Sequence, residues 1–92
     1  MVNAVRNAWN QLRTFEDLVV QQADMVNNYR LLRNAEQEKF RNGESSLFLI
    51  NARETKLIEA EVKLADLQAK YQKAQAQVYW EAGAIGNLLA AF

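Results

Sequence analysis

The chain has 92 residues, eleven basic and eleven acidic, with no histidine, cysteine or proline and only three glycines. That length bounds one domain, and the balanced charge, spread over both halves, excludes a basic stripe and with it a nucleic-acid partner. Without His or Cys there is no thiolate, no disulfide framework and no Glu-x-x-His metal motif, so no catalytic residue, cofactor or metal ligand is expected, and the protein is not read as an enzyme.

The first residues, Met1 to Arg6, lack the apolar core of a signal peptide, and no stretch approaches the roughly 18 to 20 apolar residues of a membrane span. Taken alone, the segment is expected to be soluble. Asn3 can cap a helix, and from there to Arg41 nothing forces a break, a run of about 58 Å at 1.5 Å per residue. Two adjoining seams with three-four spacing lie along it. One is Val5, Ala8, Leu12, Phe15, Val19, Val26 and Tyr29; the other is Ala4, Ala8, Phe15, Leu18, Met25, Tyr29 and Leu32.

At Asn42-Gly43-Glu44-Ser45-Ser46 the pattern stops. Gly43 suits the left-handed conformation past a helix end, Lys39 and Arg41 complement the negative end of the dipole, and Ser45 or Ser46 caps the next helix. From Leu47 onward Ile50, Leu57, Leu64, Tyr71, Val78 and Ile85 recur at heptad spacing, with Ala60, Leu67 and Ala74 at the alternate core position. A second seam of smaller residues runs through Ile58, Val62, Ala65, Ala69, Ala76 and Tyr79. Glu59 with Lys63 and Asp66 with Lys70 are spaced as i to i+4 pairs. The helix is expected to finish at Ala84-Ile85-Gly86, with Gly86 left-handed.

The expected fold is therefore all-α: one long antiparallel two-helix coiled-coil hairpin, with a helix over about 3–41, a tip over about 42–46, a helix over about 47–85 and a short tail. Folding about the tip pairs residues whose numbers sum to about 87, so Tyr29 meets Ile58, Phe15 approaches Tyr71, and Trp9, Tyr79 and Trp80 gather as a packed aromatic cluster at the open end. A membrane-interface belt is the other reading of those tryptophans. Glu36 with Glu38, and Glu59 with Glu61, point to different sides of their helices and read as solvated charges. One hairpin needs one seam per helix, so a second seam on each implies further helical partners, either in a self-associating bundle or in a larger assembly. At the tip, Leu47, Phe48, Leu49 and Ile50 are four consecutive apolar residues. One helix face cannot hide all four; either Phe40 and Phe48 plug the hairpin end or the run is a docking surface.

The segment Phe40-Arg41-Asn42-Gly43-Glu44-Ser45-Ser46-Leu47-Phe48-Leu49-Ile50-Asn51-Ala52 resembles the periplasmic hairpin tip of TolC-like outer-membrane efflux proteins. There an aromatic residue, two variable residues, a glycine and two more variable residues lead into an apolar run and an Asn/Asp-Ala pair. The heptads that follow, the Tyr71 to Ala74 segment and the closing Ala84-Ile85-Gly86 are similar to that family's second repeat. The resemblance implies a piece of a periplasmic helical tunnel, part of an outer-membrane protein, in which three protomers close a barrel that conducts drugs or secreted proteins. It further implies that Arg41, Asn42, Gly43, Glu44, Ser45, Ser46 and Leu47 face a periplasmic adaptor protein, and that both seams contact neighbouring helices of the trimeric channel. The family's β-strands, first repeat and signal peptide have no counterpart here. A freestanding hairpin scaffold or adaptor that self-associates into a bundle is the alternative.

Overall fold

The computed structural model of the chain describes the backbone of residues 2–90 and the side chains of residues 3–83. It contains two helices, α1 (Val2–Arg41) and α2 (Leu47–Ala90), and no strand among the described residues. The chain is the all-α helical hairpin that the two long periodic runs require. α2 continues past the expected stop and runs helically through Gly86. A helical glycine costs only about 1 kcal/mol relative to alanine, and the neighbouring Ala and Leu residues favour continuation where no proline stops it. The side chain of Ile85 lies outside the described residues.

The hairpin divides into two compact units, Val20–Asp66 and Met1–Val19 with Leu67–Phe92. In the first of these, which contains the tip, Val26, Leu57 and Ala60 form a buried cluster with Tyr29 and Leu64 packed against it. In the other, Ala8, Leu12, Ala74 and Val78 are buried together, flanked by Phe15 and Tyr71. Small residues alternate with large ones in both clusters, so each pair of helices interdigitates. Of the two seams read on α1, the one through Val5, Ala8, Leu12 and Val26 is the packed one. On α2 it is the heptad seam of Leu57, Ala60, Leu67, Ala74 and Val78.

Two pairings differ from expectation. Tyr29 packs against the cluster of Val26, Leu57 and Ala60, whereas Ile58 is 55% exposed, one position round the helix from the core. Trp9, Tyr79 and Trp80 are each more than half exposed and form no packed cluster in this chain. The cause is angular: Ala8 and Val78 occupy the core positions, Trp9 and Tyr79 one residue on are turned about 100° away, and Trp80 two residues on about 200°.

The second seam of α2 stays uncovered, whereas on α1 the members shared with the first seam, Ala8, Phe15 and Tyr29, are packed and the others are exposed apart from the half-buried Ala4. Leu18, Met25 and Leu32 on α1 and Ile58, Val62 and Tyr79 on α2 are exposed, as are Ala65, Ala69 and Ala76. A two-helix core is thin, and no described side chain is less than 2% exposed.

Candidate docking surfaces

The tip is built from the backbone outward. Gly43 has φ +76°, the left-handed conformation that only glycine adopts without cost. Around it the Glu44 N–H donates to the Lys39 carbonyl at 2.8 Å and the Gly43 N–H to the Phe40 carbonyl at 3.0 Å. Those are the six-to-one and five-to-two bonds of a Schellman motif, and they satisfy carbonyls that the end of α1 would otherwise leave unpaired. Ser46, not Ser45, caps α2: its Oγ accepts from the Leu49 N–H at 3.3 Å, the third residue of the new helix.

Ser45 has a different task. Its hydroxyl donates to Glu36 Oε2 at 2.7 Å, while Arg53 Nε donates to Glu36 Oε1 at 3.4 Å. Glu36 is only 6% exposed, so the expectation that it is a solvated charge fails. It occupies the core position seven residues after Tyr29, where a carboxylate must be hydrogen-bonded to be tolerated. The Ser45 hydrogen bond holds its carboxyl below the usual carboxylate range; burial opposes this, and the Arg53 hydrogen bond with the positive charges of Lys39 and Arg53 assists. Ser45, Glu36 and Arg53 thus tie the loop to both helices. Glu38, by contrast, makes an exposed pair with Arg41 at 3.2 Å.

This clamp leaves the tip's apolar residues outside. Leu47 is 63% exposed, Phe48 79%, Leu49 44% and Phe40 42%, so Phe40 and Phe48 do not plug the hairpin end. Of the seven residues expected to face a partner, Arg41, Asn42, Gly43, Glu44, Ser46 and Leu47 lie on the exposed surface. Ser45 is half-buried with its hydroxyl turned inward onto Glu36.

A second polar residue in the core was equally hidden in the sequence. Gln22 is 5% exposed, and its Nε2 donates to the Ala60 carbonyl at 3.0 Å. The bond is possible because alanine at position 60 leaves room for a side chain to reach the backbone. Both Gln22 and Glu36 fall on the spacing of Val19, Val26 and Tyr29, and carrying that spacing through polar positions would have found them. On one side of the tip unit, Arg30 approaches Glu61 at 3.6 Å and Arg33 approaches Glu54 at 3.8 Å. Pairs this exposed contribute about 0 to 1 kcal/mol each. Glu59 lies 3.9 Å from Lys56, the neighbour three residues before it. The other side holds a shallow groove between Met25 and Tyr29 on α1 and Lys56 and Lys63 on α2.

The longest continuous feature lies on the outside of α2. Positions 48, 51, 55, 58, 62, 65, 69, 72, 76, 79 and 83 are Phe, Asn, Thr, Ile, Val, Ala, Ala, Gln, Ala, Tyr and Gly, all exposed and none charged. They follow the three-four spacing of a seam and sit about 150° round the helix from the packed one. Among the described residues no helix is long and apolar enough to cross a membrane. No family model, curated protein or solved structure matches the chain.

Proposed function

We propose that this chain is a wall segment of a periplasmic helical tunnel of the outer-membrane efflux or secretion type, with an exposed tip that docks a periplasmic adaptor protein. The carrying observation is that α2 has an uncharged, exposed stripe on nearly the opposite side from its packed seam. A helix in a closed barrel has a neighbour on each side and needs two such faces, whereas a solitary hairpin needs one. The glycine-turn pattern from Phe40 to Ala52 and the exposed Leu47, Phe48 and Leu49 support the docking role of the tip. In this reading the chain transports nothing by chemistry; it supplies shape, closure and a contact.

The test is Leu47→Asp in the full-length product that contains this segment. Helix content should persist, because an aspartate in the first turn of α2 favours the positive end of the dipole by about 0.3 to 1 kcal/mol. The product should still reach the outer membrane and trimerise, yet lose adaptor binding, since a desolvated carboxylate is costly at an apolar contact. Retained adaptor capture would remove the tip from the interface, and a product that fractionates away from the outer membrane would remove the channel reading altogether.

A second reading, a freestanding hairpin that associates with copies of itself, is favoured by one observation: the order of residues along the outer stripe of α2.

A further inference from the structure

The exposed stripe of α2 is complementary to itself when run in reverse. We propose that its cover is the same stripe of a second copy of this chain, the two α2 helices packing antiparallel with Ala65 opposite Ala69 of the second copy. This deepens the self-associating reading and is independent of the channel reading, since it requires neither adaptor nor membrane.

Size carries the first part of the argument. In this register Ile58 faces Ala76 of the second copy, Thr55 faces Tyr79 of the second copy and Val62 faces Gln72 of the second copy, so Ile58 and Tyr79 each meet a smaller side chain. Trp80, 67% exposed, comes within about 3 Å along the axis of Ala52 of the second copy. Alanines at the centre let the helix backbones approach closely, and the bulky residues toward both ends fill the space that opens there.

Charge carries the second part independently. Beside the stripe on one flank stand Ala52, Glu59, Asp66, Lys73 and Trp80, one heptad apart. Reversed against itself, this flank sets Glu59 within about 3 Å along the axis of Lys73 of the second copy, and the two-fold repeats that pair. Asp66 approaches its own counterpart, with Lys73 of the second copy lying between the levels of Asp66 and Glu59. Lys56, 3.9 Å from Glu59, is an exposed competitor whose contribution is small.

Other arrangements fare worse. In-register parallel packing opposes Ile58 to Ile58 and Tyr79 to Tyr79, large on large, and turns the flank of Glu59 and Lys73 away from its own counterpart, so the Glu59 to Lys73 pairing is lost. Sliding by one heptad to bring Val62 over Ala65 sets Glu59 against Asp66 of the second copy. The opposite slide stacks Val62 on Tyr79, large on large.

The experiment uses the purified chain, which has no native cysteine. Wild type should sediment as a dimer at micromolar concentration. Chains carrying Ile58→Cys and Ala76→Cys, both at exposed positions, should form the mixed disulfide when combined and oxidised, and neither should cross-link to itself. Lys73→Glu should weaken the dimer at least about tenfold, and adding Glu59→Lys to the same chain should restore it. Circular dichroism confirms that each variant keeps its helix. The proposal is overturned by a folded monomer up to millimolar concentration, by self-cross-linking of the Ile58→Cys chain, or by faster cross-linking of Ala65→Cys with Ala76→Cys. Dissociation on Leu18→Gln with Met25→Gln would place the interface on α1 and overturn it as well.

Discussion

One substitution type, glycine to alanine, should change stability in opposite directions at two positions. At Gly43 a Cβ would meet nothing within 4 Å, so the cost comes from the backbone alone. With φ at +76°, an alanine pays about 1 to 2 kcal/mol for the left-handed conformation. Its stiffer unfolded chain returns about 0.4 to 1 kcal/mol, leaving a net loss of about 1 kcal/mol. At Gly83 a Cβ also meets nothing within 4 Å, but that residue is inside α2, where alanine is about 0.8 to 1 kcal/mol more favourable. The two variants should therefore differ by about 2 kcal/mol, read from urea midpoints at unchanged slope and at a protein concentration low enough to keep the chain monomeric. Gly43→Asn should fall between wild type and Gly43→Ala, because asparagine tolerates the left-handed region. Equal destabilisation by Gly43→Ala and Gly83→Ala would refute the reasoning, since it would mean that contacts rather than φ set the cost at both sites.

Leu57→Ala removes the most enclosed of the described apolar side chains, at 3% exposure, and should cost about 2 to 5 kcal/mol, whereas Ala65→Ser on the exposed stripe should change the monomer by less than about 0.5 kcal/mol. Thermal melts at low concentration compare them. Gln22→Leu should match or exceed wild-type stability, because the amide buries a polar group for one hydrogen bond, but it should broaden the NMR spectrum as the register pinned to the Ala60 carbonyl loosens; sharp, unchanged dispersion would count against that role. Glu36 has a lowered pKa, so its stabilising contribution is complete above the carboxyl's unfolded value and is lost as pH falls through its folded one. Glu36→Gln should accordingly melt lower than wild type at neutral pH, with the gap closing in acid; a gap that persists unchanged at low pH would show that the carboxylate charge is not what the clamp uses.

The parts of the fold legible in the sequence are those that repeat. Leu57, Leu64, Tyr71 and Val78 announce α2's packed face because one period accounts for all of them, and Gly43 announces the turn because a single residue type fits a left-handed helix end. What repetition cannot show is a polar side chain in a core position. Gln22 and Glu36 read as surface residues by type, and their burial depends on partners, the Ala60 carbonyl, Ser45 and Arg53, that only the folded hairpin brings near. The exposed aromatics failed for a related reason. Trp9, Tyr79 and Trp80 are apolar by type, but helical angle, not hydrophobicity, decides which neighbour of Ala8 or Val78 turns inward. The far end of α2 escaped because a Gly after an Ala-rich run permits a stop without enforcing one.

The division of labour between the two faces of α2 follows from how little a pair of helices can bury. A cluster of three buried residues holds one unit and a cluster of four the other, and two of the ten buried residues among those described are polar. Such a core fixes register through Gln22 and Glu36 but has little stability to spare. An uncharged stripe left in water adds nothing to that stability, and charged residues there would improve solubility at no cost to packing. Its persistence over positions 48 to 83, with every charge of that stretch of α2 placed elsewhere round the helix, is economical only if contact is made there. Folding and assembly are thus linked: a helix that covers the stripe stabilises the folded hairpin by mass action, and where that helix belongs to a second copy the melting temperature should rise with the logarithm of chain concentration.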